Sequence, residues 1–596
     1  MPVVQNSINI PFGDVMYLDF ETTSGDDKLD SINPHHHCKI LGIAVTFDDR
    51  EGVYYIPLRH RGDYQVMSNV DIEAAKAWLR DAFAHAHTWV NHNIKYDMHV
   101  VMNDFGLRFN GRVIDTANMA KLAPKEERFT YNLTDLMREW FQTDIKPYED
   151  KIKQYIKKDY ATCPIDYMAE YAIVDVISTR QLYKWLVANE VSPEVARMEE
   201  KLTPILFDIE HRGMRVDLSK VVDDLMYLPA QLEDMSDKLS VLTGIREFRG
   251  HVSGDLKAYF VDKLNLPVME WTNPDDDDED AVHNPSFSES AIKQYNGLAP
   301  KEVIDAILKY KETYKLLTSF TKSYADLHVK GRVHPNYTQS RRTGRMACSD
   351  PNMQQLSPRA KEYILCERGR ILVDFDYSQI EFRLIVHYTQ DARCIQAYQE
   401  NPNTDYHDWV ASLCGIDRKP AKTMNFLLGY GGGKKKAVSA LRAMLPYAEN
   451  AEALALAMYD TYHNALPNLK PTMQEAARTV RMRGFIRTMM GRRRYFPKVV
   501  YDKKGRKKDP SFKAFNTASQ GTAAEFMKYA TVENYDYFKD HDINLLGIIH
   551  DSWVVDAPED ANLDEIALRL AVTPVPIRVP IICNYKVSRT NWRECA

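Results

Sequence analysis

Two carboxylates stand two residues apart in VMYLDFETTS: Asp19 and Glu21. Side chains alternate faces along a strand, so both acids leave one face while Leu18 and Phe20 take the other. Adjacent acids repel each other, which costs stability unless a cation lies between them. Oxygen donors of this kind suit Mg²⁺ or Mn²⁺. A further acid, Asp97, sits in NHNIKYDMHVV, and YAIVDVISTR sets Tyr171 and Asp175 four apart, on one face of a helix. Any one of these acids fits an ordinary surface; together, in this order and spacing, they are specific.

A second set lies far along the chain. In GRILVDFDYSQIEFRLIVHY, Asp376 stands at the end of a strand-like run. Ser378 and Glu381 follow with S-x-x-E spacing, which predicts a capping box at a helix start. GIIHDSWVVD sets His550 and Asp551 between two apolar, β-branched runs, which predicts a hairpin with both residues at its tip. Aspartate suits turns in any case, so the position gains chemical meaning only if another acid comes to it. In GIDRKPAKTMNFLLGYGGGKKK, Arg418, Lys422, Phe426 and Tyr430 recur every four residues. On a helix they form one slowly rotating stripe of two cations, then two rings. Gly431, Gly432 and Gly433 end it. Such a stripe suits a nucleotide, with phosphates at the cations and sugar and base at the rings; a surface stripe grading into core is the alternative.

The elements that must position these residues can be read coarsely. Residues 15–110 alternate strands with helical segments, an α/β pattern. From about 115 to 240 the pattern is helical, with a boundary near 190, and 220–330 is helical around an acidic interruption at 272–286 that reads as a solvated loop. ILVDFD at 371 is strand-like; helices then dominate until the hairpin and a last strand-like run, VPIICNYKV. The 596 residues suffice for roughly four domains. Hydrophobic residues make up 44% and charged residues 27%, as in a soluble globular chain. No apolar run approaches the ~20 residues of a membrane helix, and the N-terminus lacks the pattern of a secretory signal. The 8 cysteines are scattered without a CxxC pair, which argues against a disulfide framework and for a reducing cytoplasm. His-His-His at 35–37 has no matching ligand spacing and reads as a loop, not a metal site. Net charge is −6, yet residues 491–513 hold 10 Lys or Arg against 2 Asp, and QSRRTGR at 339–345 is also basic. Either run alone fits a solvated face; the two together point to phosphate contacts.

The N-terminal acids resemble those of DEDD-type 3′→5′ exonuclease domains. The resemblance implies that Asp19, Glu21, Asp97 and Asp175 bind two metals and that Tyr171 orients the attacking water. The later segments are similar to motifs A, B and C of the family A DNA polymerases, the DNA polymerase I family. TGRMACSDPNMQQL, RRRYFP, NTASQGTAAEF and the terminal Asn591-Trp592 belong to the same match, in the family's order. It implies an α/β, ribonuclease H-like exonuclease domain at 1–190. Behind it comes an α+β right-hand polymerase at 191–596, with thumb about 218–335, palm about 191–217, 336–386 and 514–596, and fingers about 387–513. Carried over residue by residue, Asp376 and Asp551 share two Mg²⁺, Arg418 and Lys422 meet the incoming triphosphate, and Phe426 and Tyr430 shape the sugar and base pocket. Gln379 belongs with the nucleotide contacts and Glu381 is the sugar-discriminating glutamate. Arg345, Arg383, Asn516, Gln520 and His550 fall on the DNA side. The implied partners are primer–template DNA, dNTPs and replication accessory proteins, for a monomer in the cytoplasm, the host's if the source is viral.

Two departures stand out. The family usually has Glu after the His-Asp of motif C, where this chain has Ser552; Asp374, two before Asp376 on the same strand face, is a candidate to restore the lost charge. Phe512 stands where an arginine is common, with Lys513 adjacent. The absence of a 5′-nuclease segment suits a bacteriophage enzyme or a stand-alone repair polymerase. The rival reading that Ser552 supports is an exonuclease whose polymerase half only grips DNA. A single-subunit RNA polymerase and a non-catalytic scaffold are opposed by Glu381 and by the filled acidic positions.

Overall fold

The computed structural model describes residues 3–4, 8, 10–23, 34–35, 38–61, 68–124, 130–156, 159–272, 284–339, 343–414, 416–444, 450–497, 500–501 and 507–595. The acidic run at 275–280, His36, His37 and much of the basic run after 497 lie outside them.

The first region is built on a six-stranded mixed sheet. Val15–Thr23 is central, antiparallel to Lys39–Phe47 and parallel to Thr88–Asn91. Its alternation is used on both faces. Leu18 and Phe20 enter a core with Trp78, Phe83 and Trp89, while Tyr17 enters another with Val90, Met168 and Ala172. The second core is supplied by helix Ile165–Ala188, which lies across the sheet and brings Tyr171 and Asp175 to the face carrying Asp19 and Glu21.

The chain turns between Ala188 and helix Pro193–Arg212. Long helices Leu218–Thr243 and Lys301–Lys315 pack together. They share one continuous hydrophobic core with a four-stranded antiparallel sheet. That sheet is ordered Asn544–Ile549, Ser552–Ala557, Ile371–Tyr377, Cys583–Ser588. The strand at 371 is therefore central, flanked by strands that begin only at Ser552 and Cys583. Between them helices from Ala392–Glu400 to Leu469–Arg483 form a region with its own core around Tyr406, Met424 and Tyr462. Short antiparallel strands Phe485–Arg487 and Arg493–Tyr495, which periodicity does not reveal, interrupt the predicted helical run. Among the described residues no helix is long and apolar enough to cross a membrane.

The basic run is not uniformly solvated. Arg492 is 1% exposed and pairs with Glu199 and, at 2.8 Å, with Glu525; Lys528 reaches Glu199 at 2.6 Å. A buried charge needs a partner. Glu199 on helix Pro193–Arg212 and Glu525 and Lys528 on helix Ala514–Asp540 supply it, joining both helices to the 485–495 hairpin.

Candidate active sites

The five N-terminal candidates line one cleft of about 940 Å³. Asp19 and Glu21 come from the central strand, Asp97 from the first turn of helix Ile94–Phe105, and Tyr171 and Asp175 from helix Ile165–Ala188. Asn91 bridges two of the acids, its Nδ2 donating to Asp19 Oδ1 at 3.2 Å and Asp97 Oδ2 at 2.7 Å. Burial raises Asp19 to about 6. Burial and then Asp19 raise Asp175 to about 8, against a hydrogen bond from Tyr171 that lowers it. Burial, reinforced by the neighbouring acids, pushes Glu21 and Asp97 well above the carboxylate range. Four crowded oxygen donors, each resisting ionisation, form a set that a hard divalent cation relieves.

In the second region Asp376 sits opposite Ser552 in the antiparallel ladder, next to Asp551. Tyr377 N–H donates to the Asp551 carbonyl at 3.0 Å. The hairpin strands Asn544–Ile549 and Ser552–Ala557 leave His550 and Asp551 at the tip, as the sequence predicts. His550 is exposed and takes a left-handed φ of 55°. Asp376 is raised to about 7, by burial first, then Asp551 and Asp374; Lys422 and Lys586 lower it. Burial also raises Asp551. Ser552 turns its hydroxyl to the Ile549 carbonyl at 3.2 Å. Asp374 accepts from Trp592 Nε1 at 2.9 Å through one oxygen, and its other oxygen is buried without a partner.

The stripe forms on helix Arg418–Gly429, and Tyr430 caps it. Lys422 is exposed and lowers both Asp376 and Asp551. The rings of Phe426 and Tyr430 lie 6.3 Å apart. Arg418 is held by Asp405 at 2.5 Å and Asp408 at 3.2 Å. Gln379 Oε1 accepts from Tyr406 N–H at 3.3 Å. Asn516 and Gln520, four apart on helix Ala514–Asp540, are both half-buried. The next residue, Gly521, lets this helix approach the 485–495 hairpin: an added Cβ would meet Thr488 Cγ2 at 2.7 Å.

Two expectations are corrected. Arg383, expected on the DNA side, is fully buried. Its guanidinium donates to the carbonyls of Ser378 (2.7 Å), Pro580 (2.6 Å) and Pro402 (2.8 Å) and lies over Tyr398. Its donors are spent inside the fold. The capping box also does not form. The cap residue is Gln379, in a left-handed conformation without a side-chain cap bond. Glu381 is thus one position short of the box and pairs with Arg345 instead.

Sequence reading missed Asn91, Asp405, Asp408 and Lys586. The repeated Asn of NHN beside Asp97 was the available signal for the first. For Lys586, which pairs with Asp374 across the ladder, only the pairing reveals it.

The profile for DNA polymerase family A matches residues 225–594, and that for 3′-5′ exonuclease matches residues 16–190. DNA polymerase DpoZ of Salmonella phage PMBT28 is 26% identical over 93% of this chain and 94% of its own length. The thermostable DNA polymerase I of Thermus thermophilus is 29% identical over 64% of this chain, and DNA polymerase I of Borreliella burgdorferi 24% over 97%. This chain spans 46% and 62% of those two bacterial proteins. A solved structure, the POL domain of Pol1 from M. smegmatis in complex with DNA primer-template and dNTP, shares the fold. Its TM-score is 0.75 at 20% identity, covering 98% of this chain and 96% of that one. With both acidic centres assembled on the two regions these profiles match, the chain belongs to DNA polymerase family A and carries a 3′→5′ exonuclease domain ahead of its polymerase domain.

Proposed function

We propose that Asp376 and Asp551 hold two Mg²⁺ ions for template-directed addition of dNTPs to a primer 3′-hydroxyl, and that Asp19, Glu21, Asp97 and Asp175 hold two more for proofreading. The observation that carries this reading is the ladder register that sets Asp376 beside Asp551. The donors are all carboxylate oxygens, which fits Mg²⁺, with Mn²⁺ as an alternative. Held by these carboxylates, paired ions would supply activation of the attacking oxygen and neutralisation of charge on the leaving one.

The remaining work falls to this chain's own side chains. Lys422 and Arg418 bind the triphosphate, Arg418 exchanging Asp405 and Asp408 for phosphate oxygens. Lys422 also protonates the departing pyrophosphate; Lys422→Ala would then slow single-turnover chemistry, and a defect in nucleotide binding alone would remove that role. Phe426 and Tyr430 shape the pocket for sugar and base, Gln379 anchors its floor to the helix at 406, and Glu381 takes the space a ribose 2′-hydroxyl needs. Arg345, Asn516, Gln520 and His550 contact primer and template. Tyr171 orients the hydrolytic water through its hydrogen bond to Asp175. The second region is divided into thumb, palm and fingers as the resemblance implies. Catalysis is then mostly positioning and charge neutralisation.

Primer extension tests the reading. Wild-type protein in Mg²⁺ should extend with dNTPs, fail with NTPs, and shorten the primer when no nucleotide is present. Asp376→Asn should abolish extension and spare shortening; Asp19→Asn should do the reverse. Extension that survives Asp376→Asn overturns the assignment, and shortening without extension in the wild type favours the exonuclease with an inactive polymerase half.

A further inference from the structure

We infer that His35, His99 and His211 form a zinc site at the junction of the exonuclease and polymerase regions, separate from both carboxylate centres. Each offers one ring nitrogen, and the three nitrogens lie within 4.8 Å of one another. Zinc holds imidazole nitrogens at about 2.0–2.1 Å in tetrahedral geometry, so side-chain shifts on the order of 1 Å close the set.

The surroundings are those of a ligand site. His99, on helix Ile94–Phe105, is 3% exposed. Its Nε2 is hydrogen-bonded to Glu210 Oε2 at 2.9 Å, and its Nδ1 is buried with no hydrogen-bond partner. A carboxylate on one imidazole nitrogen, which fixes the ring and leaves the other nitrogen to a metal, is the usual outer support of a zinc histidine. An unpaired buried polar atom otherwise costs about 1–3 kcal/mol. His211, in the last turn of Pro193–Arg212, repeats the pattern: its Nδ1 is also buried and unpartnered. The His35 ring lies 4.4 Å from that of His99 and 6.2 Å from that of His211. It is braced by stacking on His334, 4.4 Å away, whose Nδ1 is committed to the Glu210 carbonyl at 2.9 Å. Lys95, the nearby cation, is held on the other oxygen of Glu210 and on the Tyr337 carbonyl, 2.5 Å away. Asp350 lines, with His35 and His99, a cavity of about 200 Å³ and, with water, is the candidate for a fourth position.

An imidazole set selects Zn²⁺ and its softer neighbours over Mg²⁺, so this ion does not exchange with those that serve the carboxylate centres. Its ligands come from either side of the junction, where Arg108–Asp208 and Arg112–Glu200 already cross. The ion would fasten helix Pro193–Arg212 to the exonuclease region. The tripeptide 35–37, read from the sequence as a loop without partners, contributes one ligand; the others are too distant in the chain for any spacing rule to find.

The test uses the full-length protein, stripped with a chelator, kept in excess Mg²⁺ and then offered Zn²⁺ or Co²⁺. We expect one Zn²⁺ retained per chain by elemental analysis, visible Co²⁺ bands of a tetrahedral nitrogen-rich site, and a higher unfolding temperature with Zn²⁺. His35→Gln and His211→Gln, at half-buried positions, should each weaken retention at least tenfold while leaving extension and proofreading rates in Mg²⁺ within about twofold of wild type. The inference is overturned if wild-type protein releases Zn²⁺ into the Mg²⁺ buffer, if the His35→Gln/His211→Gln double variant retains it unchanged, or if Asp376→Asn or Asp19→Asn is what abolishes retention. A folded double variant with the wild-type Co²⁺ spectrum would show that the imidazoles only stack.

Discussion

Arg345 and Glu381 form an ion pair at the mouth of the polymerase centre, the guanidinium of one lying against the carboxylate of the other. Glu381 is largely buried and Arg345 half-exposed. The pair fixes where the Glu381 carboxylate stands, and in the proposed reading that position sets which sugars fit.

Removing the carboxylate should therefore relax sugar selection. Glu381→Ala should raise the rNTP/dNTP ratio of kcat/KM by at least roughly tenfold, about 1.4 kcal/mol. Arg345→Ala should shift the ratio the same way by less, because it loosens Glu381 without deleting it, and should also weaken primer–template binding. Single-nucleotide kinetics decide the matter; a ratio unmoved by Glu381→Ala would end the sugar-gate role.

Asp374, two residues before Asp376 on the same strand face and close enough to raise its pKa, is the carboxylate proposed to compensate for Ser552. Asp374→Asn keeps an acceptor for Trp592 and removes only the charge that raises Asp376. At an effective separation of several ångströms this is worth about 1 kcal/mol. The Mg²⁺ concentration for half-maximal extension should rise roughly fivefold, and superimposable Mg²⁺ titrations would dismiss the compensation.

The exonuclease cleft should bind divalent ions in a pH-dependent way. Asp19 titrates at about 6 and Asp175 at about 8 without metal. Below those values a cation must displace protons, so affinity should climb by up to about tenfold per pH unit between 6 and 8. Stability of the chelated protein should run the other way. A raised carboxylate pKa means the folded state holds protons that the unfolded state has released, so these two acids destabilise as pH rises from about 4 to 8. Calorimetric Mn²⁺ titrations of Asp376→Asn, which isolates this cleft, test the first point; a constant affinity from pH 6 to 8 contradicts it.

Arg383 should behave as a core residue. Arg383→Ala strands three carbonyls and should cost roughly 3–5 kcal/mol of stability. Under conditions where the variant is folded, primer–template affinity should stay within about twofold of wild type. Denaturant melts and fluorescence-anisotropy binding separate the two, and a large binding loss with intact stability would restore Arg383 to the DNA side.

Several local placements were legible in the sequence, whereas the meeting of Asp97 with the first-strand acids, and of Asp376 with Asp551, was implied only by the family resemblance. Alternation puts Asp19 and Glu21 on one face, helical spacing joins Tyr171 to Asp175, and two apolar runs around a polar pair specify the 550–551 hairpin. What failed was whatever depends on a partner distant in the chain. Arg492 reads as part of a solvated basic run until Glu199 and Glu525 arrive to bury it. Arg383 reads as a ligand contact until three backbone carbonyls claim it. The S-x-x-E box is a correct local signal defeated by one left-handed residue, Gln379. Of the histidine cluster only His35 drew attention, in the 35–37 run read as a loop; that it meets His99 and His211 shows only in the folded junction.

The order of the palm strands has a consequence for the nascent chain. Every acid of the exonuclease cleft has left the ribosome once helix Ile165–Ala188 is made, and that region can begin folding at once. Strand Ile371–Tyr377, by contrast, emerges with both of its sheet neighbours still unsynthesised and must wait, its hydrogen-bonding edges open, for Ser552–Ala557 and Cys583–Ser588. A translation product stopped short of residue 544 would carry a complete set of proofreading acids and only one half of the clasp for synthesis. In the proposed reading, such a fragment would hold the proofreading acids complete while lacking Asp551, the partner of Asp376 for synthesis.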